Sequence, residues 1–554
     1  MLLLRSTISV RSIPERVMEW LLLFVPPGLF EAMLLRLGFD AKRYGLDAAI
    51  LLVMLALAWL GYEGLLRRWS VLVLAALGPI VWLVIMLVIM PLTSAGVFAS
   101  ALVEGAMATI FGYLAVCLSY AAVLVVAHVL MYADGVPSEP DDVPVLGRRT
   151  LLATLGGTAV AYVATYASGL LSPTANRAPS ILLVDPQEPV PSGGIDEPNP
   201  HPQAVASPVA PNQQAAPLTV APRTTPSLPV PAAVRELQRD KDGAVLPAGR
   251  PAGQLATAMT SNNDFYIVTK NAGGDPTLKP DAWRLLVDGE VERTFQLDYA
   301  TLRRLPSVQV TKTLECISNF VGKPELAPFG AELISTAQWK GVAVRDILGL
   351  TGGPKPGATW LAVLSADEYT SALPMEVAMD PGTLVVYEMN GDVLPYEHGY
   401  PARMLVPGRY GMKNAKWIIG LRPMSREFLD WYAQRSWSKE AIVRTMTRID
   451  APAPNGRLQP GTNTLSGVSY AGTRGIQRVE YSWDGGQSWH DAQFLEPPVG
   501  QDAWVRWQGA FPYTAGTPVT LVARATDGTG QVQDEAFTLP EPDGGTGWPH
   551  LKLG

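Results

Sequence analysis

Residues 313–319 read TLECISN, and at their centre is Cys316, one of only two cysteines in 554 residues. Two cysteines cannot form the disulfide framework of a small secreted scaffold. The other, Cys117, sits in an apolar run and reads as a small buried hydrophobe. Cys316 has polar neighbours and follows a strand-like run, Val308 to Leu314, that delivers it to a loop. From this stretch alone a core cysteine is the simpler reading; what lies further along the chain changes it. Residues 387–417 read YEMNGDVLPYEHGYPARMLVPGRYGMKNAKW, placing His398, Arg403, Arg409, Lys413 and Lys416 within 19 positions. Guanidinium and ammonium groups in such a set hold phosphates, and Gly408 and Gly411 allow close backbone approach. Taken alone, the same set also describes a solvated basic face.

Working outward, the chain divides into unlike halves. Residues 1–172 are rich in Leu, Val and Ala and read as a membrane domain. The runs 71–90, 105–132 and 150–172 are long enough to cross the hydrocarbon core as helices, and 48–62 makes a fourth span with Leu65 and Leu66 extending it. The segment 17–37, interrupted by Glu19, Pro26, Pro27 and Glu31, is a fifth span or an interfacial helix. Arg67 and Arg68 follow one span and Arg148 and Arg149 precede another, whereas 91–100 has no Lys or Arg. Basic loops stay cytoplasmic, so everything after residue 172 is expected outside the cell. Lys42 and Arg43 run against that pattern at the first span only. A haem held by two intramembrane histidines is not expected, because His128 is alone in these runs. Glu104 at the mouth of a span reads as an interfacial carboxylate, with a quinone or proton path as the other reading.

Residues 173–255 form a tether, crowded with Pro, Ala, Ser, Thr and Gln up to 235, too polar to offset their ordering entropy. From 256 to 445, WRLLVDGEV, VQVTKTLEC, ATWLAVLSA and TLVVYEMNGDVLP are short strands between Asp-Gly and Asn-Gly turns. WKGVAVRDILGL at 339–350 becomes helical in its later part, so this is an α+β domain. From 446 to 554, RVEYSWDGGQSWHDAQF, WVRWQGAFPY and PVTLVARATDGTGQVQ alternate as strands of a β-sandwich. The net charge of −7 and the lack of a basic block point away from nucleic acid.

TLECISN and the 387–417 stretch, with AMDPGTLVVYEMNG at 378–391, resemble the molybdenum domain of the sulfite oxidase family. The sandwich and the tail GGTGWPHLKL resemble its immunoglobulin-like dimerisation domain. The resemblance covers roughly 260–554 and says nothing of residues 1–172. It implies a molybdenum-molybdopterin cofactor, a pyranopterin dithiolene whose metal takes Cys316 as its one protein ligand and as the catalytic position. A soft thiolate suits such a metal. It carries cofactor contacts onto His398, Arg403 and Lys416, with Lys413 in the same basic set. FYIVTKN at 265–271 adds Lys270 and Asn271, and Asn319 matches a family position. The implied activity is oxygen-atom transfer on a small oxyanion or sulfoxide. Electrons pass to a cytochrome or quinone-linked carrier, and the C-terminal domain forms a homodimer. A cofactor loaded in the cytoplasm favours export of the folded protein, and GRRTLLATL at 147–155 resembles a twin-arginine signal; the arginines also read as a topological anchor. One departure stands out: Phe320 and Val321 occupy positions where sulfite-oxidising relatives place arginines. Sulfite is therefore in doubt as substrate, and a reductase of sulfoxides is the rival within enzymes. A membrane transport or sensory protein with a degenerate cofactor domain is the rival of another class.

Overall fold

The structure is a computed structural model that describes residues 12–21, 41–93, 95–100, 106–132, 250–271, 275–326 and 330–553. Four helices come first among them: α1 (Ile13–Leu21), α2 (Ala41–Leu66), α3 (Val71–Val84) and α4 (Ala106–Tyr132). A π-helical turn over Ile85–Ile89 carries α3 on toward Leu92. Segments Tyr44–Leu66, Val71–Leu92 and Ala106–Val129 are long and apolar enough to cross a membrane. Their outward faces are bare apolar surface, with Leu72 82% and Leu52 66% exposed, as a helix in lipid would be. The run expected at 150–172 lies outside the described residues, as do Glu104 and the part of 17–37 beyond Leu21.

The bundle packs through small residues and polar tips. A Cβ on Gly78 would stand 2.7 Å from the Cys117 carbonyl oxygen, so only glycine lets α3 and α4 approach there. Cys117 is accordingly a buried small residue at a helix contact. His128 packs its ring against Tyr132 at 4.8 Å. Tyr120 and Tyr132 on α4 donate to the carbonyls of Leu57 and Leu65 on α2 at 2.7 and 2.8 Å. These two contacts make α2 and α4 run the same way, with α3 returning between them. The Arg67–Arg68 turn therefore lies at one end of the bundle and residues 95–100 at the other. At that second end, Arg16 of α1 hydrogen-bonds Tyr113, early in α4, and pairs with Glu368 of the α+β domain.

Beyond residue 250 two mixed layers follow. Strands β1 (Arg284–Val287), β2 (Phe295–Asp298), β5 (Trp360–Ser365), β6 (Thr370–Pro374) and β10 (Ile418–Met424) form one sheet in the order β2-β1-β10-β5-β6. Strands β3 (Val308–Glu315), β4 (Ile334–Ala343), β7 (Leu384–Met389), β8 (Asp392–Val393) and β9 (Arg403–Leu405) form the other, β3-β4-β7-β8 with β9 on β7. In these two sheets only β1 and β10 pair in parallel; every other pairing is antiparallel. The helix expected late in 339–350 is Val344–Gly349, directly after β4. Trp339, Trp417, Leu285 and Val386 lie at the centre of one hydrophobic core between the sheets. The sandwich has two four-stranded sheets. β11 (Met446–Ala451), β12 (Gly461–Tyr470), β16 (Val505–Tyr513) and β15 (Gln493–Phe494) make one. β14 (His490–Asp491), β13 (Ile476–Ser482), β17 (Val519–Asp527) and β18 (His550–Leu553) make the other. Leu465, Trp507, Phe511 and Leu521 fill the space between them.

The sandwich grips the strand that ends at the cysteine. Lys312, buried on β3, pairs with Asp502 at 3.2 Å and donates to the Val406 carbonyl. Tyr470 donates to Asp502 at 2.6 Å and to the Thr313 carbonyl at 3.0 Å. The Thr313 amide in turn donates to the Asp502 carbonyl at 2.8 Å. β3 is thus held on one side by its ladder to β4 and on the other by the second domain.

Candidate active site

Cys316 follows the last residue of β3. Its amide donates to the Leu333 carbonyl at 2.9 Å, and its carbonyl accepts from the Asn319 amide at 3.0 Å. The cysteine is 7% exposed, and that small surface faces a cleft lined also by Lys270, Tyr369, His398, Arg403, Lys416 and Tyr432. Gly411 closes against it: a Cβ there would meet the Tyr266 hydroxyl at 2.8 Å and lie 3.8 Å from the Cys316 Cα. Behind the cysteine, Glu315 is buried, and burial pushes its carboxyl up to about 8 despite the Asn319 amide and Arg448. A neutral acid at that position adds no competing negative charge at neutral pH.

One wall of the cleft is basic. His398 ends a short 3-10 turn, Tyr396–His398, and its Nε2 lies 2.8 Å from the Asn262 carbonyl. Burial, with Arg403 and Lys416 nearby, lowers the imidazole to about 3, so it is neutral at physiological pH. Arg403 on β9 donates to the carbonyls of His398 and Asn414, both at 3.0 Å. Burial lowers its guanidinium to about 10. Lys416 donates to the Glu397 carbonyl at 2.9 Å. Gly399 separates these side chains at φ +110°, and a Cβ there would stand 3.0 Å from the Arg403 Cβ and 3.1 Å from the Lys416 Cβ. Only glycine meets both demands.

The other wall is phenolic. Tyr266, Tyr369 and Tyr432 are held well above the ordinary tyrosine range, mainly by burial, with Cys316 adding to it at Tyr266 and Tyr432 and Asp430 at Tyr369. They are protonated donors at any working pH. The Tyr369 hydroxyl donates to the Met412 carbonyl at 2.5 Å. Tyr432 stacks edge-on to Trp431 at 4.9 Å and to Trp437 at 5.9 Å. The run FYIVTKN was the available signal for Tyr266, but nothing in its spacing separates Tyr266 from Phe265. Tyr369 and Tyr432 come from loops that sequence reasoning passed over.

The structure brings Cys316, Lys270, His398, Arg403 and Lys416 to one cleft. It does not bring Asn271, Asn319 or Lys413 to its lining. Asn271 donates to Asp275 and Asp367 at 3.0 and 3.1 Å. Asn319 donates to Glu315 at 3.0 Å and accepts from the Leu333 amide at 3.2 Å, bracing the cysteine loop. Lys413 is 1% exposed and paired with Asp430 at 2.5 Å, and Asp430 also accepts from the Ala433 amide at 2.9 Å. Lys413 therefore anchors the loop that carries Trp431 and Tyr432. Phe320 and Val321 do not form the cleft wall expected of them. Val321 is 3% exposed and packs in a core with Ile317, Tyr410 and Met412. Ile317 lines the cleft beside Cys316, but Phe320 and Val321 are not among its lining residues, and its tyrosines make up much of the wall.

Arg403 tests whether these residues suit an anionic cofactor. It is a buried cation whose hydrogen bonds go to backbone carbonyls, with no carboxylate opposite it among the described residues. An uncompensated buried charge is costly, and a phosphate-bearing pterin would supply the missing negative charge. Among the described residues no three His, Cys, Asp or Glu side chains converge on one point. A metal at Cys316 would find no such protein ligand cluster among the described residues. Cys316 would hold the metal, and Arg403, His398 and Lys416 the pterin. When bound, that group supplies two-electron oxygen-atom chemistry; the chain's own residues anchor, orient and tune it.

This arrangement is that of a molybdopterin-dependent oxidoreductase. The family model for the oxidoreductase molybdopterin binding domain matches residues 272–432, and the Mo-co oxidoreductase dimerisation domain matches 441–539. The chain belongs to the sulfite oxidase family and is a molybdenum-dependent enzyme. It is 31% identical over 326 residues to a sulfite oxidase of Gallus gallus, covering 52% of this chain and 70% of that one. Identity to the mitochondrial sulfite oxidase of Homo sapiens is 29% over 325 residues, covering 51% and 59%. An NADH nitrate reductase of Ulva prolifera is 27% identical over 323 residues, covering 49% of this chain and 37% of that protein. Among solved structures, the sulfane dehydrogenase SoxCD of Paracoccus pantotrophus is 26% identical, with a TM-score of 0.45, covering 50% of this chain and 75% of that chain.

Proposed function

We propose that this enzyme is anchored by its N-terminal helices with the catalytic domain on the external face, works as a homodimer through its C-terminal domain, and moves an oxygen atom to or from a neutral sulfur oxo compound in preference to sulfite. The observation that carries the substrate reading is the division of labour in the cleft. The cations Arg403 and Lys416 are committed to backbone carbonyls on the pterin wall. The remaining wall offers neutral phenols and Met412, with Lys270 as its one cation among the lining residues. Tyr369 already donates its one proton to the Met412 carbonyl, so Tyr266 or Tyr432 would donate to an S=O oxygen, and soft thioether and aromatic surface suits the organic groups on sulfur. A sulfite dianion calls for converging charges. Arg303 and Arg409 are engaged elsewhere, with Glu388 at 3.3 Å and Glu440 at 3.6 Å.

The test is a screen of molybdenum-loaded full-length protein in both redox directions. Methionine sulfoxide with a reduced viologen should be turned over. The sulfoxide takes up two electrons and two protons, its S=O bond breaks, and the products are the thioether and one water. Sulfite oxidation should show a kcat/KM well under ~10⁶ M⁻¹s⁻¹. Efficient sulfite turnover with inert sulfoxides would reverse the assignment.

The external orientation is motivated by the basic turn at Arg67–Arg68 lying at the end of the bundle opposite the Arg16–Glu368 contact. Protease added to intact spheroplasts should cut within 173–235 and release a soluble catalytic fragment. A fragment protected until lysis would put the domain on the cytoplasmic side.

A further inference from the structure

The turn Ser365–Tyr369, between β5 and β6, is part of the cleft wall and is also the point where the helical segment meets the catalytic domain. Three consecutive side chains diverge from it. Asp367 accepts from Asn271 at 3.1 Å and from the Tyr369 amide at 3.1 Å. Tyr369 enters the cleft. Glu368 turns the other way and meets Arg16 of α1 fork to fork, Nη1 to Oε2 at 2.6 Å and Nη2 to Oε1 at 2.5 Å. The Arg16 side chain is 2% exposed, and its Nε donates to the Tyr113 hydroxyl of α4 at 3.3 Å.

Glu368 stands at φ +63°, in the left-handed region that side-chain-bearing residues enter at a cost. Glycine or asparagine would hold this turn with less strain. A strained non-glycine residue at a site calls for a compensating interaction, and the Arg16 pair is one. The two-toothed geometry fixes direction as well as distance. A guanidinium removed from water needs a carboxylate partner, and Glu368 supplies one to Arg16. We propose that Arg16 is a positioning residue for the reaction: through Glu368 the membrane-side helices hold the Ser365–Tyr369 turn, and so set Tyr369 in the cleft wall it shares with Cys316. The seating of the helices is then read directly at the site.

This inference takes the Cys316 cleft as the reaction site, as proposed above, but its main test does not depend on turnover. The full chain in lipid nanodiscs is compared with Arg16→Gln, Glu368→Gln and the swap Arg16→Glu with Glu368→Arg. Amide exchange over residues 365–371 should quicken at least about tenfold in either single variant, with the rest of β5, β6 and β10 unchanged. The swap should slow it again. With methionine sulfoxide as the probe, KM should rise several-fold in the single variants while molybdenum content holds. If Arg16→Gln is poorly produced, Arg16→Lys keeps the charge without the fork and should give an intermediate exchange rate. Wild-type exchange in both single variants, or quickening spread evenly over the domain, overturns the proposal. An inert wild-type enzyme with the turn loosened as described would sink the substrate reading and leave this one standing.

Discussion

Replacing Cys316 by serine should abolish oxygen-atom transfer while the protein still folds. The cysteine is the one thiol in the cleft lining. Its backbone is placed by its amide to Leu333, its carbonyl from Asn319, and β3 paired to β4 along its length. Serine keeps every one of these bonds and removes only the sulfur. A hydroxyl is a hard, weakly acidic ligand and a poor substitute for a soft thiolate on a high-valent metal. The expected loss in kcat/KM exceeds ~10³-fold, or about 4 kcal/mol of transition-state stabilisation. Circular dichroism and the melting temperature should stay near wild type. The pterin should remain bound, because Arg403, His398 and Lys416 are untouched. Activity within tenfold of wild type would remove Cys316 from the ligand position.

The general outline was legible because it is written in local patterns. Strand runs between Asn-Gly and Asp-Gly turns, the uncharged helical runs and the cysteine in its polar loop are each visible within short stretches of chain. The basic wall was legible for a related reason. His398, Arg403 and Lys416 lie on one continuous segment that folds back on itself around Gly399, so nearness in sequence became nearness in space. Lys413 belongs to the same segment, yet it ends a 3-10 turn, Gly411–Lys413, that directs it to Asp430. No spacing rule shows that direction. The phenolic wall was harder still. Tyr266, Tyr369 and Tyr432 come from three segments far apart in the chain, and tyrosine has no spacing signature of its own. Phe320 and Val321 misled because position relative to Cys316 says nothing of which way the chain turns after it. Gly545, from the far end of the sandwich, packs against the backbone there, and that long-range contact decides the matter.

Replacing Asp502 by alanine should destabilise the protein by about 3–5 kcal/mol, the cost of leaving a buried charge without its partner. Nothing in the sequence marked this residue or Lys312, which lie in different domains. Asp502 sits in the loop before β16 and serves both domains. One carboxylate oxygen accepts from Tyr470 at 2.6 Å; the other accepts from the Gly408 amide at 3.0 Å and faces Lys312 at 3.2 Å. Burial works to lower the Lys312 ammonium and Asp502 works against it, so without the carboxylate the lysine is left either charged and unpaired or neutral. Asparagine should recover only part of the loss: its one oxygen can serve Tyr470 or Gly408, and its NH2 then confronts the other donor. The double variant Asp502→Ala with Lys312→Met separates the charge from the packing. Removing both partners should be less damaging than removing Asp502 alone, with a coupling of about 1–3 kcal/mol in the double-mutant cycle. Calorimetric melting of the four proteins measures it. The loss should also reach the site, because Lys312 and Thr313 are the β3 residues the sandwich grips just ahead of Cys316. Molybdenum retention at elevated temperature should therefore fall in Asp502→Ala and return in part in the double variant. Additive melting losses in the cycle would show that the two side chains contribute independently.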